Sequence, residues 1–124
     1  MNAEVRFHPD LGYVVTTVKG RITLPELGAL VQSVWADPGW KPEYNGIMDF
    51  SAATLDLSER EMLELSTSMR ADPRCSFGRW AFVVSTASDF GKLRKADHPE
   101  DVTVTMRIFF DRRTAEEWLL ARKA

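Results

Sequence analysis

The pattern of apolar residues predicts a mixed α/β domain with a mostly parallel five-stranded sheet, elements in the order ββαβαβαβα and about four helices. Three observations lead there. Segments of two-residue apolar period alternate with segments of helical period. Two Ser/Thr-x-x-Glu capping boxes open helices shortly after strands. A Pro-Asp-x-Gly turn joins the first two strands, which adds one antiparallel neighbour. The 124 residues are 44% hydrophobic and include four Trp and seven Phe, which argues against disorder and for one core over residues 1–124.

Val5-Arg6-Phe7 reads as a short strand and Tyr13 to Val18 as a longer β-branched one, with His8-Pro9-Asp10-Leu11-Gly12 as the turn between them. Thr23-Leu24-Pro25-Glu26 is the first capping box, with Pro in the first helical turn. Leu27, Leu30, Val31, Val34 and Trp35 then share one helical face, and Asp37-Pro38-Gly39 ends the helix, because proline excludes helical backbone from the residue before it. Gly46 to Phe50 is a third strand. Ser58-Glu59-Arg60-Glu61 is the second capping box and opens a helix with Met62, Leu65, Ser66 and Met69 in register, closed by Asp72-Pro73. Trp80 to Val84 is apolar throughout, as expected of a strand covered on both faces. Ser88 to Ala96 predicts a short helix weakened by Gly91. Val102, Val104, Met106, Ile108 and Phe110 alternate with Thr103, Thr105, Arg107 and Phe109 as a last strand. Asp111 or Thr114 caps a terminal helix holding Ala115, Trp118 and Leu119.

Sixteen Lys and Arg face eighteen Asp and Glu, a net charge of −2, which is not the strongly basic balance of a nucleic-acid binder. No apolar run reaches the ~20 residues of a membrane span, and the N-terminus has no signal-peptide pattern. A single cysteine, Cys75, cannot form an internal disulfide, so the expected compartment is the cytoplasm. His8 and His98 are the only histidines and form no pair at metal-ligand spacing, so neither a metal site nor a cofactor is expected. Ser58, His98 and Asp49 could supply a Ser-His-Asp set, but three common residues without geometry do not make a triad. Cys75 lies near Arg74 and Arg79, where a cationic neighbourhood favours a thiolate. Its expected place is nonetheless beside the apolar strand. No phosphate-binding glycine loop is present. Catalytic residues are therefore not expected.

In parallel sheets, ligands gather beyond the carboxyl ends of the strands. That rim is expected to collect Gly20, Arg21 and Thr23 after the second strand. Asp49, Ser51 and the run to Ser58 follow the third strand, and Ser85, Thr86, Ser88 and Asp89 the fourth. Asp49 stands inside an apolar run, where a carboxylate must be paired or hydrogen-bonded.

Several short segments together resemble the bacterial SpoIIAA-like family of STAS/SEC14-type domains. They are Gly20-Arg21-Ile22-Thr23 entering a Leu-rich helix, Asp37-Pro38-Gly39-Trp40 after it, and Met48-Asp49-Phe50-Ser51. Asp89-Phe90-Gly91-Lys92-Leu93 and Ala115-Glu116-Glu117-Trp118-Leu119 complete the set. Such domains are similar in fold to anti-sigma-factor antagonists, which bind a partner kinase, and to CRAL-TRIO lipid carriers. In the antagonists a strand ends Asp-Leu-Ser and a later Asp-Ser-Ser-Gly segment carries a phosphorylated serine. Asp49-Phe50-Ser51 matches the first part and Ser58 falls at the phosphoacceptor position, but Leu57 precedes it and Glu59-Arg60 follow. A phosphate there would meet Glu59 and Glu61, so the capping role is the expected one.

The resemblance implies a non-enzymatic regulatory domain that binds a protein partner or a second copy of itself. Within the segment 85–98, Phe90 and Leu93 are expected to form an apolar anchor beside Lys92, Arg94 and Lys95. The alternative is a carrier of a small apolar or lipid-like ligand, suggested by Trp35, Trp40, Tyr44, Trp80 and Trp118. A lipid would need a cavity of roughly 300 Å³ or more.

Overall fold

A computed structural model describes residues 1–75, 78–94 and 105–121. Its elements are β1 (Asn2–His8), β2 (Tyr13–Thr23), α1 (Leu24–Ala36), β3 (Asn45–Asp56) and α2 (Glu59–Arg70). They continue with β4 (Arg79–Val83), α3 (Ala87–Arg94), β5 (Thr105–Phe109) and α4 (Arg112–Leu120). The expected order ββαβαβαβα is the observed one. The expected strand residues Val102 and Val104, and Ala96 at the expected helix end, lie outside the described residues.

The five strands lie in the sheet in chain order. β1 pairs antiparallel with β2, and every later pair is parallel. The hairpin closes as its turn chemistry requires. Leu11 N donates to His8 O at 3.0 Å, and Gly12 takes a φ of 70°, which glycine adopts without steric cost.

A sheet that grows in one direction by crossovers of one hand must carry its connecting helices on one face. Accordingly, Leu27 and Leu30 of α1, Met62 of α2 and Leu93 of α3 join one core cluster with Val18, Met48, Phe50 and Val84. The terminal helix α4 connects no strands and packs on the opposite face. There Ala115 and Leu119 meet Tyr13, Val15, Ile47, Ala81 and Val83. All five residues expected on the inner face of α1 are buried. The interior strand β4 contributes to both clusters: Ala81 and Val83 face α4, and Trp80 and Phe82 pack against the other side.

Two strands are longer than their apolar patterns suggest. β2 runs on through Gly20 to Thr23, and β3 runs on from Ser51 to Asp56. The cause is a bulge. Thr17 pairs with Asp49, but the next pair is Lys19 with Ala52, so two residues of β2 span three of β3. Phe50 and Ala53 consequently face the same cluster, and the alternation restarts at Ala53, Leu55 and Leu57. A break in the two-residue period looks like the end of a strand in sequence. Here it is a re-aiming of one.

Candidate functional site

β4 stops at Val83, level with Asp49, while β2 and β3 continue as a two-stranded arm. The residues after β4 are therefore set beside that arm. Lys92 of α3 donates from Nζ to the carbonyl of Leu55 at 2.7 Å, which ties α3 to the end of β3. That contact brings the 85–92 stretch to the end of β3 at Leu55, whereas the Asp49 side chain turns to the opposite face, toward Arg112 of α4. Gly20, Arg21, Thr23 and Ser51 differ from expectation. All are strand residues of the arm rather than loop residues at a strand end: Gly20, Arg21 and Thr23 pair in register with Ala53, Thr54 and Asp56, and Ser51 lies in the bulge.

Asp49 is almost wholly buried and fully engaged. Its Oδ1 accepts from Ser51 N at 2.9 Å and from Ser51 Oγ at 2.6 Å, across the bulge. Its Oδ2 accepts from Arg112 Nη1 at 3.2 Å. A bulge leaves a backbone N–H without its ladder partner, and the Asp49 carboxylate supplies the acceptor. Arg112, in the first turn of α4, joins the bulge to the helix on the opposite face. The sequence signal for this partner was absent, because it lies 63 residues away.

Ser58 caps α2. Its Oγ accepts from Glu61 N at 3.1 Å, and Glu61 Oε1 accepts from Ser58 N at 3.0 Å. Asp111, not Thr114, caps α4, accepting from Thr114 N at 2.8 Å. Ser85 and Ser88 are exposed, and Asp89 is buried with its N–H donating to Thr86 Oγ1 at 3.1 Å.

The expected partner surface needs correction at Leu93, which is 1% exposed and belongs to the core under α3. The eight-residue helix turns Leu93 inward as its one deep anchor, so it cannot also be a surface contact. The aromatic that does reach solvent is Phe110, 57% exposed just beyond β5. It stacks on half-buried Phe90 with ring centroids 5.6 Å apart and planes within 8°. Arg94 is exposed nearby in sequence on the same helix as Phe90, whereas Lys95 and His98 lie outside the described residues.

A second feature lies under α1 and α2. An apolar cavity of about 110 Å³ has the sheet as its floor, through Thr16, Met48, Phe50, Trp80, Phe82 and Met106. Trp35 and Trp80 line it. Trp118 instead packs in the α4 cluster, and Tyr44 is buried. Trp40 tilts against Trp80 and donates from Nε1 to Arg74 O at 3.2 Å. This volume is about a third of the roughly 300 Å³ at which drug-sized ligand pockets begin. Cys75 borders the cavity and is half-buried. Among the described residues, no cluster of His, Cys, Asp or Glu could hold a metal, and no helix is long and apolar enough to cross a membrane.

No family model matches the chain, and no curated protein matches it. Among solved structures, the chain is similar to an uncharacterized protein of the DUF3478 family with a SpoIIAA-like fold from Shewanella loihica PV-4. The two share 19% identity with a TM-score of 0.58, over 95% of this chain and 92% of that one. The fold is therefore SpoIIAA-like.

Proposed function

We propose that this domain is a non-enzymatic regulatory module, similar to anti-sigma-factor antagonists, that binds a protein partner or a second copy of itself at the strand-end rim. The observation that carries the reading is the Phe90–Phe110 stack, with Phe110 more than half exposed at the carboxyl end of β5. An aromatic anchor that is presented rather than buried suits the centre of a protein interface, where aromatics contribute most of the affinity. Arg94 on the same helix and the exposed hydroxyls of Ser85 and Ser88 supply a polar, cationic rim for an acidic surface. Asp49 and Ser58 support the rim from within, as a bulge acceptor and a helix cap, and do not act chemically.

The test is the variant Phe110→Asp. The wild-type chain is expected to self-associate in a concentration-dependent way in sedimentation, or to retain a defined acidic protein on an affinity matrix. Phe110→Asp is expected to remove that association while the chain still folds, with only a small fall in melting temperature from the lost ring pair, since more than half of Phe110 is exposed. A wild-type chain that stays monomeric at high concentration and retains no partner would overturn the reading.

A further inference from the structure

The floor of the cavity contains one anomaly. Thr16 is fully buried, and its Oγ1 has no hydrogen-bond partner among the described residues. Its neighbours on that face of the sheet are apolar: Val14 and Val18 on its own strand, Met48 opposite it on β3, and Phe82 beyond. Valine has the same branched shape and would fill this strand position with no hydroxyl to satisfy. Packing does not explain the hydroxyl, and burying it unpaired destabilises the fold.

The walls add a second observation. Met48, Met62, Met69 and Met106 all line the cavity, which is every methionine except Met1. Unbranched, polarizable thioether side chains adapt to the shape of what enters, and they recur at surfaces that accept varied apolar ligands. Met62 is the single fully buried residue of the helix above, with Leu65 partly buried against the same core.

We infer that this cavity binds a small neutral molecule, an apolar body of about one aromatic ring carrying a single hydroxyl or carbonyl oxygen that pairs with Thr16 Oγ1. The size follows from the volume, about 110 Å³, which is below the roughly 150 Å³ of an apolar cavity known to accept benzene. A Met-lined wall can yield the difference. The polar group follows from Thr16, whose hydroxyl can both donate and accept. Neutrality follows from the depth, because a charge beside Thr16 would lie among apolar groups. Among the described residues, half-buried Arg70 is the one charged residue of the lining.

The experiment titrates the full chain, labelled at the methionine ε-methyls, with p-cresol, toluene and 4-methylbenzoate. Saturable shifts of the methyl signals are expected with p-cresol, at an affinity roughly 3- to 10-fold above that for toluene, the worth of one hydrogen bond. Thr16→Val, which keeps the shape, should equalise the two ligands and raise the melting temperature of the free protein. Thr16→Ser keeps the hydroxyl and should keep the preference. Phe110→Asp, outside the lining, should leave both ligand affinities unchanged, so the cavity and the rim are judged separately. Absence of saturable shifts with both neutral ligands overturns the inference, as does equal affinity for them in the wild-type chain. Tighter binding of 4-methylbenzoate than of p-cresol overturns it in favour of an anion held by Arg70.

Discussion

Asp49 and Thr16 are polar side chains buried on the two faces of one sheet, and they differ in what they meet. Asp49 engages both oxygens, one with Ser51 across the bulge and one with Arg112 on α4. Truncation to alanine would leave Ser51 N without its acceptor and the guanidinium without its anion. Because Arg112 is partly exposed, water re-solvates it, and the expected loss is about 1–3 kcal/mol. Asp49→Asn retains a carbonyl oxygen for Ser51 and should lose less. Urea unfolding of the two variants checks the order, and equal losses would mean that the bulge contact contributes nothing. That Asp49 needed partners was legible in its apolar surroundings. Which partners it found was not, since Arg112 arrives from the far end of the chain.

At the level of elements, local chemistry was read correctly wherever it is self-contained. Glu26 accepts from Thr23 N at 3.0 Å and from Thr23 Oγ1 at 2.9 Å, and Ser58 and Glu61 exchange bonds as a full capping box. Ser58→Ala should therefore destabilise the domain by about 1 kcal/mol, the usual worth of an N-cap. Ser58→Asp should be close to neutral, because aspartate caps a helix as well as serine does. Thermal unfolding distinguishes the two, and a large loss in Ser58→Asp would show that charge at this position is not tolerated beside Glu59 and Glu61. The elements misjudged in sequence were β2 and β3. Their continuation past Val18 and Phe50 is hidden by a bulge that shifts the alternation by one residue. Leu93 was misjudged for a related reason: on a short helix, one apolar residue serves either solvent or core, and the neighbouring β3 arm decided for the core.

For the molecule as a whole, acid stability follows from carboxylates that are hydrogen-bonded only when folded. Thr23 N and then Thr23 Oγ1 hold the Glu26 carboxyl below the usual carboxylate range. The Arg74 side chain and then its N–H do the same for Asp72, and Thr114 N and then its hydroxyl for Asp111. A lowered folded-state pKa means that the unfolded chain takes up protons first. The stabilisation is present above the ordinary carboxylate pKa values of roughly 4 and is lost as pH falls through the lower, folded ones. Urea midpoints should decline below about pH 4. Glu26→Gln combined with Asp111→Asn, which keep the capping geometry, should make that decline shallower. An unchanged acid limb would show that these caps are not its source.

The turn at Gly12, both capping boxes, the inner face of α1 and the alternation of helices with strands were all carried by residues close together in the chain. Such features depend on backbone sterics and on hydrogen bonds spanning three or four positions, and they form the same way in any fold. Burial has no such locality. Whether Leu93 faces inward, whether Asp49 finds Arg112, and whether Thr16 is left facing an apolar cavity depended on which distant elements came to rest above each strand. The tertiary structure alone decided these, because a side chain's solvent is supplied by the rest of the chain.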